Sequence, residues 1–220
     1  MAILALEFST AHRGAAALDP ATGRAGEAVQ TAGRATDAFG LIEEALSRAA
    51  LPRDDVDRLV VGLGPGSYTG IRNALAIAQG WQFAREIRVA GFSSVEALAF
   101  TLQAEGHRGP HRLVVDAQRG EFYLARWRLA DAGPVEEAPL RIVSRETALA
   151  GLAPDERLVG PGADRLPAPA EPAFPAAALL ARMAATRDAW SDAAALEPIY
   201  LRPLAFVKAP PPRKIPPLPR

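Results

Sequence analysis

The stretch Gly64-Pro65-Gly66-Ser67-Tyr68-Thr69-Gly70-Ile71-Arg72 constrains this chain more than any other. It follows an apolar run at 59–63, which reads as a short buried strand. It opens a helical run over 73–84. A strand, a glycine turn and a helix in succession leave backbone amides facing a ligand or a second chain. Three glycines and a proline between Gly64 and Gly70 demand backbone conformations that bulky residues resist. The Lys-Ser or Lys-Thr pair of a Walker loop is missing. A Gly-x-Gly-x-x-Gly dinucleotide fingerprint fails as well, because its last slot is Thr69 and Pro65 removes an amide. The stretch therefore reads as a tight turn that seats a helix against a sheet.

The chain has 220 residues, enough for one sizeable core or two small ones. Its apolar share of 49% and charged share of 23% are those of an ordinary globular protein. With 25 basic and 25 acidic residues it has no global field that would draw nucleic acid or an anionic membrane. The absence of cysteine removes disulfides, thiolate metal sites and thiol nucleophiles, and suits the cytoplasm. The N-terminus has no basic leader and reaches Glu7 too early for a signal peptide. No apolar run is long enough to span a bilayer.

Taken in order, residues 3–8 read as a strand, 9–14 as a turn, 15–18 as a second strand and 26–31 as a third. Thr36 or Asp37 caps a helix with Phe39, Ile42, Leu46 and Ala49 on one face, and Pro52 ends it. In the helix after the glycine turn, Ile71, Leu75, Ala78 and Phe83 form one stripe, with Asn73, Ala76 and Gly80 beside it. Residues 89–92 form a further strand, and Ser93-Ser94-Val95-Glu96 is a capping box for a helix packed through Val95, Leu98, Ala99 and Leu102. Residues 106–110 mark the domain boundary. After it, 113–116, a turn ending in Gly120, and 122–129 repeat the strand-turn-strand opening, with an acid again closing the first strand. Beyond lie a strand at 140–143, a short helix capped by Ser144, a strand at 157–159, a loop at 161–175 and a helix at 176–186. The proline-rich, basic end at 208–220 reads as a disordered tail that folding does not require.

The glycine stretch resembles the Gly-Pro-Gly-Ser-Phe-Thr-Gly-hydrophobic-Arg signature of the TsaB (YeaZ) family. Asp116-Ala117-Gln118-Arg119-Gly120-Glu121-Phe122-Tyr123 is similar to that family's Asp-Ala-Arg-x-Gly-Glu-hydrophobic-Tyr. Pro198-Ile199-Tyr200-Leu201-Arg202 is similar to its Pro-hydrophobic-Tyr-Leu-Arg. The resemblance covers nearly all of the chain before the tail. It implies an α/β protein with the actin-like ATPase (ASKHA) fold: two RNase H-like subdomains with mixed sheets and a degenerate nucleotide site. The first subdomain, 1–105, would carry dimerisation helices; the second would run over 106–207. The resemblance also implies a non-catalytic platform subunit in the synthesis of threonylcarbamoyladenosine (t6A), the modification of the adenosine after the anticodon in tRNAs reading A-starting codons. Such a subunit pairs with a TsaD-like catalytic subunit and a TsaE-like ATPase, and forms a homodimer when alone. It meets tRNA through the complex and no membrane. It has no intrinsic cofactor, ATP being used by the partner complex. The competing class is an enzyme: an actin-like ATPase or kinase, or a glycoprotease-like metallopeptidase.

Site candidates follow from these readings. In actin-like ATPases an acid on each hairpin holds magnesium through water, which makes Glu7, Thr10 and Asp116 the vestigial nucleotide-site candidates. The family's usual start is Asp-Thr, so Glu7-Phe8 departs from it, and Phe8 is expected beside the phosphate position. Magnesium demands tight geometry, so the longer acid fits it poorly. The plainer reading has both acids bonding turn amides. His107 and His111 have the spacing of two metal ligands on a helix, but Pro110 stops a helix there, so they read as surface histidines in a linker. Ser9 and Ser67 lack a nucleophile elbow. No catalytic residue or metal site is assigned. The partner interface is expected on Phe39, Leu41 and Ala45 of the first helix. It continues over Gly64, Ser67, Tyr68, Arg72, Asn73, Ala76, Ile77 and Gly80 of the turn and second helix.

Overall fold

Strand β1 (Ala2–Glu7) is buried from end to end and stands at the centre of a first sheet. A short turn returns the chain as β2 (His12–Leu18), antiparallel, with Ile3 opposite Leu18 and Glu7 opposite Gly14. Strand β3 (Ala25–Thr31) extends the sheet antiparallel on the far side of β2. The structure is a computed structural model that describes residues 1–31, 36–167 and 169–202. Helix α1 (Ala38–Arg48) starts at Asp37, whose carboxylate accepts from the Gly40 amide at 3.0 Å. Strand β4 (Val56–Gly62) lies parallel to β1, helix α2 (Tyr68–Arg85) follows, and β5 (Arg88–Phe92) lies parallel to β4. Helix α3 (Ser94–Ala104) is capped by Ser93.

The second sheet repeats the first. Strands β6 (Gly109–Asp116) and β7 (Glu121–Ala130) form its opening hairpin, and β8 (Gly133–Ser144) continues antiparallel. After α4 (Arg145–Leu149), strands β9 (Arg157–Val159) and β10 (Ala170–Glu171) add parallel on the other side of β6. The orders are β3-β2-β1-β4-β5 and β8-β7-β6-β9-β10, the same sequence of antiparallel and parallel neighbours twice. The internal repeat expected from the two hairpins is therefore present through all five strands of each sheet.

Alternation along the strands divides the packing. Leu4, Leu6 and Phe8 face the layer of α1 and α2 with Leu41, Ile42, Leu46 and Ile71. Ile3 and Ala5 face the opposite way, onto Leu180, Ala181 and Ala184 of α5 (Ala177–Thr186). Helix α3 covers the second sheet through Val95, Leu98, Ala99 and Leu102. The Ala176 amide before α5 donates to Thr101 Oγ1 of α3 at 3.1 Å. The helices thus cross over: α3, from the first half of the chain, covers the second sheet, and α5, from the second half, covers the first.

Several expectations change in detail. The first turn is shorter than 9–14, because β2 begins at His12. Helix α2 begins at Tyr68, directly after the Ser67 cap, rather than at Asn73. The 140–143 strand is the end of the longer β8, and the 161–175 loop holds β10. Phe39 is 64% exposed and Phe83 94% exposed, so neither belongs to the inward stripe assigned to it. The inward face of α1 runs through Ala38, Leu41, Ile42, Ala45 and Leu46, which turns Phe39 to its border. The expectation for 208–220 falls outside the described residues. Among those described, no helix is long and apolar enough to cross a membrane.

Candidate functional site

The two hairpin turns, β1–β2 and β6–β7, face one cleft of about 570 Å³. Ser9, Thr10, Gly66 and Tyr68 line it from the first unit; Asp116, Gln118, Tyr123 and Phe174 line it from the second. The expected nucleotide site would lie here.

The glycine stretch is packed onto the β1–β2 turn. A Cβ at Gly66 would sit 2.0 Å from the Ser9 carbonyl oxygen, and one at Gly70 would sit 2.0 Å from that of Phe8. Gly64 has φ +89, which a side chain resists. The Ser67 amide donates to the Ser9 carbonyl at 2.7 Å, and the Ser67 hydroxyl accepts from the Gly70 amide at 3.2 Å. The Gly64, Ser67 and Gly70 amides are thus spent on the chain itself. Close backbone approach explains the glycines, with no ligand needed.

Glu7 holds the underside of this joint. Its carboxylate accepts from the Ser9 amide at 2.8 Å and from the Ser94 hydroxyl at 2.8 Å. The Ser94 hydroxyl in turn accepts from the Gly64 amide at 3.0 Å. Glu7 is fully buried, and burial pushes its carboxyl above the usual range against the pull of the Ser9 and Ser94 hydrogen bonds. Nothing in the sequence singles out Ser94 as the bridge; there it reads only as part of a capping box. Phe8 also departs from expectation: its ring is buried in the core under α2, and only its carbonyl meets the glycine loop.

An acid whose folded pKa is raised costs stability as pH climbs from the unfolded carboxylate value, about 4.3, through the folded one. Glu7→Gln removes that titration. The unfolding free energy of the Glu7→Gln variant relative to the parent is therefore expected to rise between about pH 5 and pH 8. Denaturant melts at the two pH values measure it; a gap independent of pH would mean that Glu7 ionises as freely folded as unfolded.

On the second hairpin, Asp116 accepts from the Gln118 amide and from Gln118 Nε2, each at 2.8 Å, and pairs with Arg165 at 3.0 Å. Gln118 and Arg119 both have left-handed backbone, φ 64 and 60, so the acid braces a strained turn. Thr10 gives its hydroxyl to the His12 carbonyl at 2.8 Å. The three nucleotide-site candidates thus all serve their own turns. The histidine pair is not at the surface as expected. His111 is fully buried on β6, because the strand begins at Gly109, and its Nε2 lies 3.4 Å from His107 Nδ1. Among the described residues no group of three or more potential ligands could hold a metal.

The C-terminal segment joins the other two motifs. The Ile199 amide donates to the Leu63 carbonyl at 2.8 Å, beside the glycine loop. Tyr200 stacks on Tyr68 with ring centroids 5.6 Å apart, and the Arg72 guanidinium lies 4.0 Å from the Tyr68 ring centre. Arg202 donates to the Ala117 carbonyl at 2.8 Å and pairs with Glu121 at 2.7 Å. Three motifs far apart in sequence therefore meet at one cleft.

Comparison with known proteins agrees with this convergence. Residues 35–152 match the family model described as TsaD, tRNA N6-adenosine threonylcarbamoyltransferase. An uncharacterised protein of Mycobacterium tuberculosis is 34% identical over 161 residues, 72% of this chain and 70% of that protein. The chain belongs to the TsaB (YeaZ) family. The Haemophilus influenzae tRNA threonylcarbamoyladenosine biosynthesis protein TsaB is 34% identical over 87 residues, 39% of this chain and 36% of that protein. The structure of YeaZ from Pseudomonas aeruginosa superposes with a TM-score of 0.76 at 26% identity, covering 91% of this chain and 99% of that one. The chain spans 26% of the length of a Mycobacterium leprae relative that it also matches. The two mixed sheets and these relatives give it the actin-like (ASKHA) fold.

In this TsaB-family chain the residues expected at a partner interface divide into two sets. Phe39, Tyr68, Arg72, Ala76 and Gly80 are exposed, and Ser67 and Asn73 are half-buried. Leu41, Ala45, Ile77 and Gly64 are buried within the chain's own core, so they support the helices rather than present a surface. The exposed set continues onto Phe83, and Phe39, Gly80, Trp81 and Ala84 line a hollow together with Glu43, Arg53 and Arg85.

Proposed function

We propose that this chain is a non-catalytic platform subunit in the synthesis of threonylcarbamoyladenosine in tRNA. It pairs through α1 and α2 with a TsaD-like catalytic subunit, is joined by a TsaE-like ATPase, and forms a homodimer when alone. It acts in the cytoplasm and reaches tRNA through the complex, with ATP used by its partners. The observation that carries this reading is Glu7. The acid that would face a metal-bound phosphate is instead buried, bonded to Ser9 and Ser94, and used to position the glycine loop. That loop sets where α2 begins, and so sets the face α2 presents. The relatives named for threonylcarbamoyladenosine synthesis supply the pathway.

The chain is expected to bind no magnesium-ATP in the micromolar range by calorimetry and to hydrolyse none. Tight binding abolished by Asp116→Ala would establish a working nucleotide site. In a modification assay with its cellular partners, leaving this chain out is expected to abolish the product. Full modification without it would remove it from the machinery.

A further inference from the structure

We propose that the proline-rich tail of this chain, through Pro210-Pro211-Pro212-Arg213-Lys214, is the occupant of the cleft between the two hairpin turns. The cleft wall is aromatic. Tyr68, Tyr123, Phe174 and Tyr200, from four separate segments, line one space of about 570 Å³.

A ligand matched to an aromatic wall presents apolar rings and few unpaired donors. Polyproline does this: its carbonyls make no internal hydrogen bonds, and each proline lacks an N–H. Grooves that recognise proline-rich peptides are lined by aromatics for this reason.

This chain carries such a segment in reach. Residues 203–220 include seven prolines and four basic residues and no acid. The described chain reaches its end at the cleft rim, where Arg202 is held by the Ala117 carbonyl and by Glu121. Pro210 follows eight residues later. At roughly 3.1 Å per extended residue those span about 25 Å, enough to leave the rim and turn back. Tethering at that distance gives an effective concentration in the millimolar range, so a weak peptide site is filled in cis. The fold does not need the tail, whose removal is expected to move Tm by only about a degree or two. The cleft does.

Hydrogen exchange on the full chain and on a chain ending at Val207 tests this. Truncation is expected to speed exchange at least about threefold at 8–13, 66–69 and 116–120 while the sheets stay protected. The double variant Tyr68→Ala/Tyr200→Ala in the full chain, shown folded by circular dichroism, is expected to speed it at 8–13 and 116–120. A synthetic peptide of residues 203–220 is expected to saturate the truncated chain below about 1 mM. Its affinity is expected to fall about tenfold when Pro210, Pro211 and Pro212 are replaced by glycine. Equal exchange in the full and truncated chains overturns the proposal. So does a glycine peptide that binds as well as the proline one, which would mean attraction by charge alone. Peptide binding indifferent to the tyrosine changes would place the tail elsewhere.

Discussion

Gly70→Ala is expected to destabilise the protein by about 3 kcal/mol, against the usual sign for this change. Inside a helix, alanine normally stabilises relative to glycine by up to about 1 kcal/mol. Gly70 lies in the first turn of α2, so helix propensity alone favours the variant. The packing reverses it. The new Cβ would lie 2.0 Å from the Phe8 carbonyl oxygen and 3.1 Å from the Ser67 hydroxyl. The carbonyl belongs to the buried turn at the end of β1 and cannot swing away. The helix must lift, which strains the Ser67–Ser9 backbone hydrogen bond and the Ser67 cap. For a chain of this size each kcal/mol moves Tm by about 2–4 °C, so a fall of about 6–12 °C is expected by calorimetry. Gly80→Ala on the same helix is the control: nothing lies within 4 Å of its Cβ, and it is expected to be neutral or stabilising. Equal effects at the two positions would show that the glycine loop does not clamp α2 to the first hairpin.

Much of this architecture is legible in the sequence. Both hairpins announce themselves by apolar runs that end in an acid, and Asp37, Ser93 and Ser144 mark helix starts through their side-chain caps. What cannot be read there is which element covers which face. Alternation assigns Leu4 and Ile3 to opposite sides of a strand, but says nothing of the α5 helix that arrives from far along the chain. Periodicity likewise finds α1 and α2, yet places Phe39 and Phe83 inward, because a stripe one residue out of phase fits the sequence almost as well. The site is legible as three motifs and illegible as a joint. Glu7 looks like a metal-facing acid because its position at the strand end is fixed by the repeat. Only the fold shows its carboxylate turned inward onto Ser94, which lies 87 positions away. His111 misleads for a related reason: Pro110 excludes a helix, but it is tolerated near the start of a strand, where the ring can be buried.

Gly80→Arg is expected to leave the monomer folded and to weaken both the proposed self-association and capture of the proposed catalytic partner at least about a hundredfold, a loss of roughly 3 kcal/mol. Gly80 is exposed in the middle of α2, and open space lies above its Cβ position. Replacing glycine in an exposed helix adds propensity rather than strain, so the fold gains slightly. The assembly loses because of what surrounds the position. Phe39, 64% exposed on the neighbouring helix, and half-buried Trp81 line the hollow with Gly80, beside Glu43, Arg53 and Arg85, while Phe83, 94% exposed, lies outside it. An exposed aromatic beside a small residue suits a second helical surface that can approach closely. A guanidinium on a long stem fills the hollow, blocks close approach and adds a further cation beside Arg53 and Arg85. Light scattering reports the mass, circular dichroism the fold, and co-purification with the partner the function. Phe39→Ala tests the same surface by removal rather than obstruction, and is expected to weaken association without altering the melt, because a 64% exposed ring contributes little to the core. A Gly80→Arg chain that still dimerises and still supports modification would move the interface off α1 and α2, whereas one that unfolds would show that the hollow is closed within the chain itself.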